Sequence, residues 1–70
     1  MKYAVVLERG KNSWGAYSPD VPGCASVGKT RKETIEMYRE ALRMHLKGLK
    51  EDGLPVPKPV CRVETVEVEG

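Results

Sequence analysis

The 70-residue chain contains no phenylalanine, one tryptophan, two cysteines and one histidine. Two cysteines are too few for a disulfide scaffold. Cys24 and Cys61 each sit in an apolar, strand-like stretch, where a free cysteine acts as a small hydrophobe, so both are expected as buried thiols. His45 with the two cysteines falls short of the four ligands of a structural zinc site, and no close-spaced ligand pair is present. The longest apolar run near the start, Tyr3 to Leu7, is too short for a signal peptide or a membrane span. Gly10, Gly15, Gly23 and Gly28 are spaced as turn residues and form no phosphate-binding loop. Asp20, Glu33 and Glu36 are accounted for by turn, cap and surface roles. These absences argue against an enzyme, a metal or any cofactor, and for a cytoplasmic protein without membrane association.

Net charge is +2, too small to imply nucleic acid by itself. Its distribution is uneven: residues 29–50 carry seven basic and three acidic residues, whereas residues 51–70 carry two basic and five acidic. Ordinary solvated faces account for this split, as does pairing of tail and helix between molecules. Seventy residues make one domain, spanning 1–70, that buries only about 60% of its unfolded surface. Chains this small and without staples often gain stability by oligomerising.

Residues 3–9 predict a first strand, apolar on both faces and therefore expected to be central and covered. Gly10 to Ser13 is a turn, and Trp14 to Ser18 a second strand with Trp14, Ala16 and Ser18 on one face and Tyr17 on the other. Pro19 stops that strand, Asp20 can hydrogen-bond the turn backbone, and Pro22 and Gly23 complete a tight reversal. Cys24 to Val27 follows as a short third strand. Thr30 is a good N-cap with Glu33 three residues on, the signature of a capping box. Ile35, Tyr38, Leu42, Leu46 and Leu49 then recur at helical spacing, Gly53 suits the position after the last turn, and Pro55 blocks resumption, so a helix is expected over 31–52. Pro55, Pro57 and Pro59 stiffen an extended strap. Valine-rich residues 60–68 predict a fourth strand. The fold class is α+β in the order β-β-β-α-β, a small antiparallel sheet with one long helix packed on it.

Two surfaces stand apart from the expected core. Met37, Ala41, Met44 and Gly48 share a helix flank beside His45 and outside the sheet-facing stripe. Gly48 in a helix interior costs roughly 0.8–1 kcal/mol against alanine unless a contact offsets it. The flank is either a docking face, for a second copy among others, or the edge of a wide core stripe under the proline strap. In the fourth strand Cys61 and Val63 share one face while Val66 and Val68 share the other, which a bulge or a change of packing partner would produce. Trp14 and Tyr17 complete the candidate contact residues, serving as core or contact side chains or as stacking platforms for single-stranded bases. Lys32, Arg39, Arg43, Lys47 and Lys50 form a basic flank, read as solvated or, alternatively, as tracking phosphates.

The segments Tyr3 to Glu8, Trp14 to Tyr17, Pro19-Asp20-Val21-Pro22-Gly23-Cys24, Val27 to Thr30 with Glu33, Leu46 to Gly53 and Leu54 to Pro59 together resemble the HicB-like antitoxin domain over about residues 2–60. The resemblance implies a partial ribonuclease H-like fold, homodimers or larger assemblies such as tetramers, and a partner: a small HicA-type toxin that cleaves messenger RNA and is neutralised by being covered. It implies no catalytic residues. Many relatives carry a further C-terminal DNA-binding segment; the sequence here reaches Gly70 without one, so a single domain is expected and promoter binding is not expected of this chain alone. A small non-catalytic RNA- or nucleic-acid-binding domain is the alternative.

Overall fold

The computed structural model describes all 70 residues. Strands β1 (Val6–Arg9), β2 (Trp14–Ser18) and β3 (Val21–Gly28) form an antiparallel sheet in the order β1-β2-β3, and helix α1 (Arg31–Glu51) packs on one face of it. The α+β class and the strands-then-helix order are those expected from the sequence. No helix is long and apolar enough to cross a membrane.

The helix begins and ends as its sequence dictates. Thr30 is extended, and its hydroxyl accepts the Glu33 N–H at 3.0 Å, satisfying one of the orphan donors of the first turn. At the other end Gly53 adopts φ +69°, a left-handed conformation that glycine enters without steric cost. Gly53 N–H donates to the Lys50 carbonyl and Leu54 N–H to the Leu49 carbonyl, the paired bonds of a Schellman cap.

Three local expectations change. The reversal after β2 is made by Pro19 and Asp20, not by Pro22 and Gly23, and β3 begins at Val21. Tyr17 pairs with Ala25 and Ser18 with Val21, so Pro22, Gly23 and Cys24 have no residue opposite them. This bulge absorbs both the missing proline N–H and the positive φ of Gly23 (+83°) on a strand with a free outer edge. Second, β1 is an edge strand, not a central one: β2 is its only neighbour. Third, residues 60–68 form no strand within the protomer, and Cys61 is exposed, not buried. The three-proline strap runs past Tyr3 and Asp20, and the segment beyond it pairs with neither sheet edge.

Cross-strand pairing divides the sheet into two faces. Leu7, Ala16 and Ser26 stand opposite one another and face the helix. The core there is small: Ala16, Val21, Cys24 and Tyr38 are buried, with Tyr3, Val5, Leu7, Ala41 and Leu42 half-buried around them. At the helix N-terminus the packing is polar. Ser26 donates to the Thr34 carbonyl at 3.0 Å, and the fully buried Thr34 hydroxyl donates to the Thr30 carbonyl at 2.6 Å. Gly28 makes that approach possible, since a Cβ there would lie 2.7 Å from Thr34 Oγ1 and 3.2 Å from Thr34 N.

Candidate partner interface

The second sheet face has no cover. Val6, Tyr17 and Ala25 form one cross-strand row on it, and Glu8, Gly15 and Val27 the next. Val27 is 64% exposed and Tyr17 40%, so each row presents a large apolar side chain on the outside of the sheet. The apolar alternation of β1, with Val5 and Leu7 inward and Val6 outward, arises because one layer of helix covers only one side. The sequence pattern carries this face, but the pattern alone does not distinguish a covered strand from an uncovered one.

The four expected flank residues of α1 separate. Met44 is 65% exposed and Met37 is also exposed, whereas Ala41 packs against the core cluster. Gly48 has no atom within 4 Å of the position a Cβ would take, so nothing within the protomer explains a glycine there. Ala41, Met44 and His45 line a shallow groove together with Gly23, Cys24 and Ala25, an arrangement that joins the helix flank to the bulge of β3. A second, more enclosed cleft of about 240 Å³ lies between the start of the chain and the helix, bounded by Met1, Tyr3, Val5, Ile35, Tyr38 and Leu42 with Arg39 at its mouth.

Trp14 is half-buried and engaged within the fold. Its ring faces Arg9, whose guanidinium carbon is 5.8 Å from the ring centroid, a cation–π distance. Tyr17 is the more available of the two aromatic candidates. Val66 and Val68 lie far from the other candidates in burial, both nearly fully exposed at the end of the chain. Pro19 and Asp20 make the turn already described, and Asp20 does more. Its Oδ2 accepts the backbone N–H groups of Val60 and Cys61 at 3.1 and 3.0 Å, and Tyr3 hydroxyl donates to the Pro57 carbonyl, so the strap is held down at two points.

Three titratable groups report on this environment. The Cys61 and Val60 amides hold the Asp20 carboxyl below the usual carboxylate range. The same carboxylate pushes the Cys61 thiol up from its ordinary value. Burial pushes the Tyr38 phenol up; Cys24 and Ser18 stand beside its hydroxyl, which makes no hydrogen bond of good geometry. No three histidine, cysteine, aspartate or glutamate side chains gather where they could hold a metal.

The fold is a small α+β domain whose sheet is covered by the helix on one face and open on the other. The chain belongs to the HicB-like antitoxin family of bacterial toxin–antitoxin systems, whose family model matches residues 3–69. It is 33% identical over 69 residues to Antitoxin HicB 2 of Photorhabdus laumondii, covering 97% of this chain and 50% of that protein. It is 32% identical over 67 residues to a UPF0150 protein of Thermoplasma acidophilum, covering 94% of this chain and 97% of that one. An uncharacterized protein of Haemophilus phage HP1 is 36% identical over 58 residues, covering 83% of this chain and 44% of its own length. The chain thus spans about half of two of these relatives and nearly all of the third. No solved structure matches it.

Proposed function

We propose that this chain acts as an antitoxin in the cytoplasm, binding a small HicA-type toxin and blocking its access to messenger RNA. Family membership supports the antitoxin role. The observation that points to the docking surface is the uncovered outer sheet face, with the row of Val6, Tyr17 and Ala25 and, in the next row, Val27. A domain this small gains little by leaving such side chains in water. Burying apolar surface is worth roughly 25 cal/mol per Å², so a covered sheet face contributes several kcal/mol to association. Tyr17 suits the centre of such a contact, because it combines a large apolar ring with a hydroxyl that can bond at the rim. Inhibition needs no chemistry from this chain. A protein seated over an RNA-cleaving site excludes the substrate by occupancy.

The test is co-expression with the product of the neighbouring reading frame, which this reading expects to be a short basic protein that arrests growth. The chain should relieve that arrest and co-purify with the product. The double variant Tyr17→Asp, Val27→Asp should do neither while melting at the same temperature as the parent. If the unaltered chain leaves the arrest untouched and fails to co-purify, the reading is wrong.

A further inference from the structure

One end of the sheet gathers cations that the fold does not pair. Arg9, Trp14 and Gly28 stand opposite one another across β1, β2 and β3, so the turn from β1 to β2 and the link from β3 to α1 emerge side by side. Arg9 and Lys11 belong to the first, Lys29, Arg31 and Lys32 to the second, and all are exposed. Glu8 and Glu33 are the carboxylates on the same segments, and neither forms an ion pair with them; the ion pair of the structure is Arg43 with Glu40. Asp20, in the opposite turn, and Glu51 and Asp52, at the far end of α1, segregate negative charge away from this end.

Three of these cations stand against the local physics. The first turn of a helix carries partial positive charge and favours carboxylates, so Lys29, Arg31 and Lys32 are repelled by it and by one another. No ion pair within the protomer offsets that cost. An anion seated before the turn does offset it. Residues that break a local rule without internal compensation are expected at functional sites. The basic flank farther along α1 is a weaker candidate, because Glu36 and Glu40 interrupt it and the Arg43 guanidinium already donates to both Glu40 oxygens, at 2.6 and 2.9 Å.

We propose that this end of the molecule binds single-stranded RNA, with Lys11, Lys29, Arg31 and Lys32 contacting backbone phosphates. The cations sit on two neighbouring connections and a helix turn, not along one groove. A flexible single strand can bend from one to the next, whereas a duplex is a stiff rod whose bending costs free energy. Single strands also leave base edges free, and Asn12, exposed in the turn from β1 to β2, offers them both a donor and an acceptor. Single-stranded nucleic acid in a cell is overwhelmingly RNA. Arg9 has a supporting role, since its guanidinium already lies over the Trp14 ring.

This inference does not rest on toxin binding, because it is measured on the full chain alone. Fluorescence anisotropy with a short labelled polyuridine should show binding whose log affinity falls with log salt at a slope of about −2 to −3, as three or four phosphate contacts require. The triple variant Lys29→Gln, Arg31→Gln, Lys32→Gln should weaken binding about tenfold or more and flatten the slope by about 2. It should keep the helix signal in circular dichroism and melt slightly higher, since the first turn is relieved of cations. A charge-matched control, Arg39→Gln, Lys47→Gln, Lys50→Gln, should hold affinity within about threefold at about 0.1 M salt, where distant charges are screened. Ultraviolet crosslinking in cells should give adducts that ribonuclease removes. A parent chain with no salt-dependent affinity for polyuridine overturns the proposal. So do equal losses in the two triple variants, tighter binding of a DNA duplex, competition by polyglutamate as strong as by RNA, or adducts that only deoxyribonuclease removes.

Discussion

The Asp20 carboxylate accepts the Cys61 amide at 3.0 Å across 41 positions of sequence, tying the turn between β2 and β3 to the start of the tail. The same carboxylate opposes ionisation of the Cys61 thiol, so one side chain governs both the path of the tail and the reactivity of its cysteine.

Removing that charge should therefore wake the thiol. In Asp20→Asn, Cys61 should return to the ordinary thiol range and react faster with iodoacetamide near neutral pH, since the thiolate is the nucleophile. Alkylation rates as a function of pH, resolved by mass spectrometry of the two cysteines, provide the measurement. Cys24 is buried and serves as the internal control.

The pH dependence of the latch has a definite sign. Asp20 titrates below its unfolded value, so its contribution is complete above about pH 4, the ordinary carboxylate range, and is lost as pH falls through the lowered value. The amide signals of Val60 and Cys61 should hold steady down to that range and shift below it. A midpoint at or above the ordinary aspartate value would show that the latch is not formed in solution.

Tyr38 sets the alkaline limit. Its phenol is raised by burial, so stability should be complete below about pH 10 and fall as pH climbs through the raised value, the unfolded chain losing its proton first. Tyr38→Phe should cost little, or even stabilise, because the lost hydroxyl had no good partner. Tyr38→Ala should cost roughly 3–5 kcal/mol, enough to unfold a domain with so few buried residues. Thermal melts across pH 8–11 check all three.

Two glycines, one at the end of β3 before the helix and one inside the helix, should respond oppositely. Gly28→Ala forces a Cβ against Thr34, including its backbone nitrogen and Cα, and should cost about 1–3 kcal/mol. Gly48→Ala meets open space and should stabilise the isolated protomer by roughly 0.8–1 kcal/mol. Denaturant unfolding of both variants beside the parent is the measurement.

Much of this was legible in the residues. The helix declares itself through Thr30 and Glu33 at its start, apolar spacing along it and Gly53 at its end, because each is a local signal acting on the backbone nearby. The turn was misread because Pro-Gly is a stronger local turn signal than Pro-Asp. Pairing of Val21 with Ser18 overrides it and pushes Pro22 and Gly23 into a bulge. The tail differs for another reason: valines give a tendency to extend, but a strand exists only where it pairs with another, and residues 60–68 pair with neither sheet edge. The outer sheet face was legible as an apolar pattern, while its lack of cover depends on how many layers the whole chain can supply. The Asp20 contact with Cys61 had no local signal at all. The contact candidates divide on the same principle: Met37 and Met44 are outside, where helical spacing put them, and Ala41 packs against the core cluster.

Pro22 has a consequence for how far such molecules can grow. An imino acid and a bulge at the start of the last strand deny a further strand its ladder over Pro22 to Cys24, which hinders lateral stacking into fibres on that side.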